Sequence, residues 1–231
     1  MDKKLDLVVT PGLFYLYTNG MNQVSKTGFG VDVSATRADE LEKRLLAEIR
    51  SGDTVLDLGC GAGGAAARLQ KSNVYVAGID IYDFSAEWSE GKGSFVCGDI
   101  VDLKTLVPEQ LFDYCLCNRA IHYLRYDQAA QVLEDLRRLV HSQLFISFSG
   151  LTSDLAKAYD KHDTPIKQRF ARLGAKGQET FGVTAPLTLY TEIEATQLLI
   201  NTGWNVTWSR TTDFGNVLAV ASALNDPEIG V

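Results

Sequence analysis

The chain has 231 residues, 45% of them apolar and 22% charged, which suits one large α/β domain with at most a modest insert. Lys and Arg number 22 against 29 Asp and Glu, and the net charge of −7 argues against a nucleic-acid surface without excluding a local basic groove. No run approaches the roughly 20 apolar residues of a membrane helix. The start, MDKKLDLVVTPG, resembles neither a secretory signal nor a transit peptide. Four cysteines without a signal make no disulfide framework, so the cytoplasm is the expected location.

There is no repeat, low-complexity tract or Pro/Ser-rich linker, and a single folding unit is expected over 1–231. Residues 1–33 are aromatic and Gly/Asn-containing, with no clean period. From Ser34, a plausible N-cap, Ala38, Leu41, Leu45 and Ile49 fall on one helical face, and Gly52 ends the helix. Residues 1–52 thus read as an N-terminal lid and helix. Over 53–149 short apolar runs alternate with helical ones. Thr54–Leu58, Val74–Ile79, Ser94–Cys97, Leu111–Cys117 and Leu144–Phe148 read as parallel strands buried on both faces. Between them lie helices at Gly63–Lys71, around Phe84–Ser89 and at Asp127–Val140, with a short turn near Leu103–Val107. Asp127 is the expected N-cap of the clearest helix. This order implies a doubly wound, mostly parallel sheet with right-handed crossovers. Residues 150–190 form a polar insert after the fifth strand. Over 191–231, Thr191 to Glu194 make a capping box, a helix stops at Gly203, and runs Trp204–Ser209 and Asn216–Ala221 close the sheet as an antiparallel hairpin.

The chemistry concentrates in Val55-Leu56-Asp57-Leu58-Gly59-Cys60-Gly61-Ala62-Gly63-Gly64, a strand running into a glycine-rich turn and a helix. Glycines allow a tight turn and close approach of a ligand, and the helix start offers free N–H groups. The spacing alone also fits a dinucleotide site. Asp57 shifts the balance: a carboxylate repels a pyrophosphate and attracts an ammonium. Asp80 ends the second strand, where a carboxylate accepts from both ribose hydroxyls. Asp99 follows the third strand, within reach of an adenine amino group. Asn118-Arg119-Ala120 follows the fourth. All four sets fall at carboxyl ends of consecutive strands, where open α/β sheets bind ligands. A plainer reading makes Asp57 a turn cap and Asp99 the N-cap of a short helix.

VLDLGCGAGG, GID, CGDI and FDYCLCNRAIHYL together resemble the class I S-adenosylmethionine (SAM)-dependent methyltransferase family, from about Ser34 to Ala221. The resemblance implies a Rossmann-like sheet of about seven strands, SAM as cofactor and methyl transfer as activity. It implies that Asp80 holds the ribose and Asp99 the adenine, that Ile81 and Ile100 flank the base, and that Asp57 with the backbone of Gly59, Cys60, Gly61 and Gly63 lines the methionine end. The backbone near Asn118 and Arg119 completes that end.

Displacement at a sulfonium needs alignment, dryness and sometimes a proton acceptor. His122, just past the fourth strand, is the candidate base, with packing as its competing role, and Tyr123 is a candidate for orienting substrate. Cys115 and Cys117 read as buried filler, and no Cys/His spacing suits a metal. Residues 1–33, with Phe14, Tyr15 and Tyr17, and the insert, with six basic residues against four acidic, flank the crevice and would select the acceptor. The expected partner is a small-molecule methyl acceptor, plausibly anionic, with no nucleic acid or membrane and a monomer or homodimer as the assembly. Departure of Arg119 and Ala120 from an Asn/Asp-Pro-Pro-aromatic motif argues against amino-methylation of nucleic acid. An RNA or protein methyltransferase, a nucleotide-dependent oxidoreductase and a non-catalytic SAM-binding protein remain as alternatives.

Overall fold

A computed structural model describes residues 39–88, 93–107 and 110–223. The first helix, α1 (Glu40–Glu48), starts at Asp39, whose side chain accepts from the Glu42 N–H at 2.9 Å. Asp39 therefore takes the capping role expected of Ser34, which lies outside the described residues, as does the aromatic segment 1–33. Leu41 and Leu45 from α1 are fully buried.

Strand β1 (Thr54–Leu58) leads into α2 (Gly64–Leu69), which tightens into a 3-10 turn over Gln70–Ser72. After β2 (Tyr75–Asp80) the helix expected around Phe84–Ser89 is absent from its described part. Residues 84–88 form a single turn, with the Trp88 N–H bonded to the Phe84 carbonyl. Trp88 itself covers the sheet where a crossover helix would lie: Gly78 has no side chain, and the indole fills the space above it. Strand β3 (Ser94–Cys97), the one-turn helix α3 (Leu103–Leu106) and β4 (Phe112–Cys117) follow. Helix α4 (Tyr126–Leu139) is capped at Arg125 and not at Asp127, because the Gln128 side chain reaches back to the Arg125 N–H at 3.2 Å. Ala129, Val132, Leu133, Leu136 and Leu139 form its buried face.

Strand β5 (Val140–Phe148) starts four residues earlier than its apolar run, because polar His141 to Gln143 still lie in an extended ladder. The insert holds α5 (Ala175–Phe181), two short 3-10 turns and its own apolar cluster of Tyr159, Leu173, Val183, Leu187 and Leu189. Helix α6 (Glu192–Asn201) begins with the expected capping box at Thr191 and Glu194. Strands β6 (Trp204–Thr211) and β7 (Val217–Ala223) then form the closing hairpin.

The sheet order is β3-β2-β1-β4-β5-β7-β6. β7 slots between β5 and β6, antiparallel to both, and the other pairings are parallel. One face packs Leu56, Ile79, Phe112, Leu133, Ile146 and Trp204 beneath α4 and α6. The opposite face packs Leu41, Leu45, Val55, Val76 and Phe145 around α1, α2 and Trp88. Among the described residues no helix is long and apolar enough to cross a membrane.

Candidate active site

Strand order reverses between β1 and β4: β2 lies on one side of β1 and β4 on the other. The crevice at a reversal of this kind opens beyond the carboxyl ends of the two strands. The glycine-rich turn closes its floor. Gly59 and Cys60 N–H groups both donate to the Ile79 carbonyl, at 2.8 and 3.2 Å, which ties the turn to β2. Gly59 has φ +70°, and a Cβ there would stand 2.4 Å from the Ala120 Cβ, so the β1 turn and the β4 loop can meet only at a glycine. Gly61 has φ +51° and no described atom within 4 Å of its Cβ position: its face is open. Gly63 starts α2 and backs onto Trp88, whose indole N–H donates to the Gly61 carbonyl at 3.0 Å.

The three strand-end acids differ in environment. Asp80 accepts the Gly61 N–H at 2.9 Å on one oxygen and the Tyr82 N–H at 3.0 Å on the other. Each carboxylate oxygen has a second lone pair, so the group retains capacity for a diol. Asp57 is 3% exposed, and its Oδ2 is buried without a hydrogen-bond partner. Burial, helped by the charges of Glu42 and Asp80 and opposed by Arg68, pushes its carboxyl up to about 7. Asp99 caps the 3-10 turn at Ile100–Asp102, its Oδ1 accepting from the Val101 N–H at 3.1 Å, which is the plainer of the two roles its position suggests. Ile81 is exposed at the end of β2, whereas Ile100 is buried among Leu103, Val107 and Phe112.

Beyond β4, the Asn118 side chain donates to the carboxylate of Asp39 and accepts from the Ser147 hydroxyl at 2.8 Å. The same hydroxyl accepts the Arg119 N–H at 2.8 Å, holding Arg119 at φ +61°, a conformation that a side chain rarely adopts. His122 sits in the next 3-10 turn, 2% exposed, with its ring 4.3 Å from that of Tyr123 and no partner for Nδ1. Burial and the Arg119 charge push its imidazole down to about 3. It is therefore neutral at ordinary pH and a weak proton acceptor, which suits positioning or packing better than general base catalysis. The insert docks here: Thr188 donates its N–H to the His122 carbonyl at 2.8 Å and its hydroxyl to that of Leu124 at 3.1 Å. Cys60, Cys115 and Cys117 are buried, and burial pushes all three thiols up, that of Cys117 to about 12. Among the described residues no three His, Cys, Asp or Glu side chains cluster as a metal site.

The structure thus brings together Asp57, Gly59, Cys60, Gly61, Gly63 and Asp80 around one turn, with Asn118 and Arg119 across the crevice. Trp88 holds the turn, Asp39 and Ser147 hold the β4 loop, and the Glu42–Arg68 ion pair lies behind Asp57, and none of these was legible as such. Only Gly78, a glycine in mid-strand, signals that something approaches the sheet closely.

Residues 55–143 match the family described as Methyltransferase domain, and these are the residues that build the glycine-rich turn, the strand-end acids and the β4 loop. Over these residues the chain is similar to the class I SAM-dependent methyltransferase family. Solved members of this fold include the magnesium protoporphyrin IX methyltransferase of Synechocystis PCC 6803 with bound S-adenosylhomocysteine (SAH), at TM-score 0.57 and 17% identity over 79% of this chain and 82% of that one. The 1,6-didemethyltoxoflavin-N1-methyltransferase of Burkholderia thailandensis, also with SAH, aligns at TM-score 0.59 and 19% identity over 79% and 76%. By sequence, the mRNA cap guanine-N(7) methyltransferase 1 of Arabidopsis thaliana is 33% identical over 95 residues. The chain spans about a quarter of the length of that curated relative, 26%. Within the family frame, the donor set of this chain fits SAM: an orphaned buried carboxylate suits an ammonium, Asp80 suits a ribose diol, and the open face of Gly61 leaves room between them.

Proposed function

We propose that this methyltransferase passes the methyl group of SAM to an oxygen or nitrogen of a small molecule. Bound SAM supplies a methyl on a sulfonium, open to in-line displacement by a lone pair. In this reading Asp80 accepts from the ribose hydroxyls, Asp57 faces the ammonium, and Asp99 and Ile81 attend the base, with Ile100 packed behind. The backbone from Gly59 to Gly63 and at Asn118–Arg119 lines the methionine end. His122 and Tyr123 hold the acceptor in line, the neutral imidazole orienting a hydroxyl or amine and not removing its proton.

The observation that carries the small-molecule reading is the docking of residues 150–190 on the β4 loop, through Thr188 on His122 and the packing of Tyr123 against the insert's apolar cluster. In this reading that wall borders the entry of the acceptor. The Synechocystis and Burkholderia enzymes, named for magnesium protoporphyrin IX and 1,6-didemethyltoxoflavin, are in keeping with it. The similarity to the cap methyltransferase favours a second reading, in which the acceptor is the guanine of a capped nucleotide. The test measures SAH release from SAM with a panel of hydroxy- and amino-aromatic compounds beside a capped dinucleotide. Turnover with a panel compound and none with the cap supports the first reading; turnover confined to the cap overturns it.

A further inference from the structure

The side chain of Asp57 shares a sheet face with Val55, against α1 and α2, and its strand neighbours are Gly78 and Leu116. It is almost fully buried, and Oδ2 has no hydrogen-bond partner. The charged groups around it come from three elements. α1 supplies Glu42, itself 2% exposed; α2 supplies Arg68; β2 supplies Asp80. Arg68 is already engaged by Glu42, with Nε on Oε1 at 2.5 Å and Nη2 on Oε2 at 2.6 Å. The thiols of Cys60, Cys115 and Cys117, also near Asp57, stay protonated in their buried positions. Three carboxyls thus gather near one guanidinium, and two of them, those of Asp57 and Glu42, are out of water. With Arg68 already bonded to Glu42, little is left to stabilise a negative charge on Asp57, and holding that charge out of water costs several kcal/mol unless a cation arrives.

We propose that the Glu42–Arg68 pair acts as a set of positioning residues behind the cofactor site: it tunes how tightly the buried Asp57 carboxyl holds a proton, and binding of the SAM ammonium drives that proton out. The proposal rests on the SAM reading given above. The protonated carboxyl gives up its proton to the buffer, and the resulting carboxylate pairs with the ammonium, so charge and protons balance. The ion pair has opposing effects through its two members. Glu42 favours the protonated form of Asp57 and Arg68 the ionised form.

The linkage fixes the direction. A carboxyl that titrates near 7 in the free protein and lower in the complex makes SAM binding weaken as pH falls. From pH 7 to pH 5.5, affinity should drop by about 15-fold, and nearly one proton should be released per SAM at the lower pH. This window lies below the titration of an α-amino group, so the ligand keeps its charge. The experiment is calorimetric titration of the full chain with SAM across that window, in two buffers of different ionisation enthalpy. D57N should abolish the slope. E42Q should move its midpoint to lower pH and R68M to higher pH, opposite shifts that a merely structural role for the pair would not produce. Proton release by the wild type needs no variant to fold. SAM binding of constant affinity with no proton release overturns the proposal and leaves the cofactor reading standing. Midpoint shifts in the same direction overturn the role of the pair. Absence of SAM binding at every pH overturns the cofactor reading, and this proposal with it.

Discussion

Gly59 and Gly61 both occupy left-handed backbone, two residues apart in one turn, yet alanine should act differently at each. At Gly59 the new methyl meets the Ala120 Cβ at 2.4 Å; at Gly61 it meets no described atom within 4 Å. Left-handed backbone costs an alanine about 1–2 kcal/mol at either position. Overpacking against the β4 loop adds about 1–3 kcal/mol at Gly59 alone. G59A should therefore lose about 2–5 kcal/mol of folding stability, and G61A about 1–2 kcal/mol. SAM binding should rank them the other way. The G61A methyl projects into the crevice floor where the cofactor must approach, and its affinity should fall at least about tenfold in protein that is still folded, as expected for a lost close contact worth about 1.4 kcal/mol. Urea denaturation and SAM calorimetry on the same preparations read both effects. G61A that binds SAM like the wild type would refute the placement of the cofactor over this turn. G59A no less stable than G61A would refute the contact between the turn and Ala120.

Three further outcomes are expected. His122 is held neutral in the folded chain down to about pH 3, while its unfolded form takes up a proton near 6.5, so wild-type stability contains a loss that grows as pH falls from 6.5 towards 3, at up to about 1.4 kcal/mol per pH unit. H122F should escape that loss, and denaturation at pH 7 and pH 5 should show its stability rising relative to wild type at the lower pH; a constant difference contradicts the buried neutral imidazole. Arg169 is 5% exposed and binds both oxygens of Glu194 at 2.7 and 2.9 Å, as well as the Leu189 and Thr164 carbonyls. R169M should cost about 2–4 kcal/mol in urea denaturation, less than a fully buried pair because Glu194 keeps partial access to water; a change under about 0.5 kcal/mol would contradict the anchoring of the insert to α6. W88A empties the space over Gly63 and Gly78 and should lose about 3–5 kcal/mol by the same assay, whereas near-wild-type stability would show that the indole does not replace a crossover helix.

Elements whose boundaries are set by local apolar runs were legible: β1 and β3 match their expected spans residue for residue, and the Thr191 capping box starts α6 as its spacing implies. Elements set by distant partners were not. The turn at 84–88 carries residues compatible with a helix, but Trp88 anchors on Gly63 and Gly78, 25 and 10 residues away. Helix α4 begins before Asp127 because Gln128 supplies the reciprocal bond. Strand β5 extends into polar sequence because β4 and β7 lie alongside it. In the site, the carboxyl ends of β1, β2 and β4 could be located from glycine and acid positions. The engagement of Asn118 with Asp39 and Ser147 could not, since those partners lie 79 and 29 residues away. Nor could spacing reveal that burial weakens His122 as a base.

The central claim is that the acids and glycines of this crevice are built for the cationic, phosphate-free cofactor SAM. Calorimetric titration of one preparation with SAM and then with NADH tests it most directly. Saturable binding of SAM, with no heat from NADH beyond dilution, is the expected result; saturable binding of NADH with no response to SAM would contradict it.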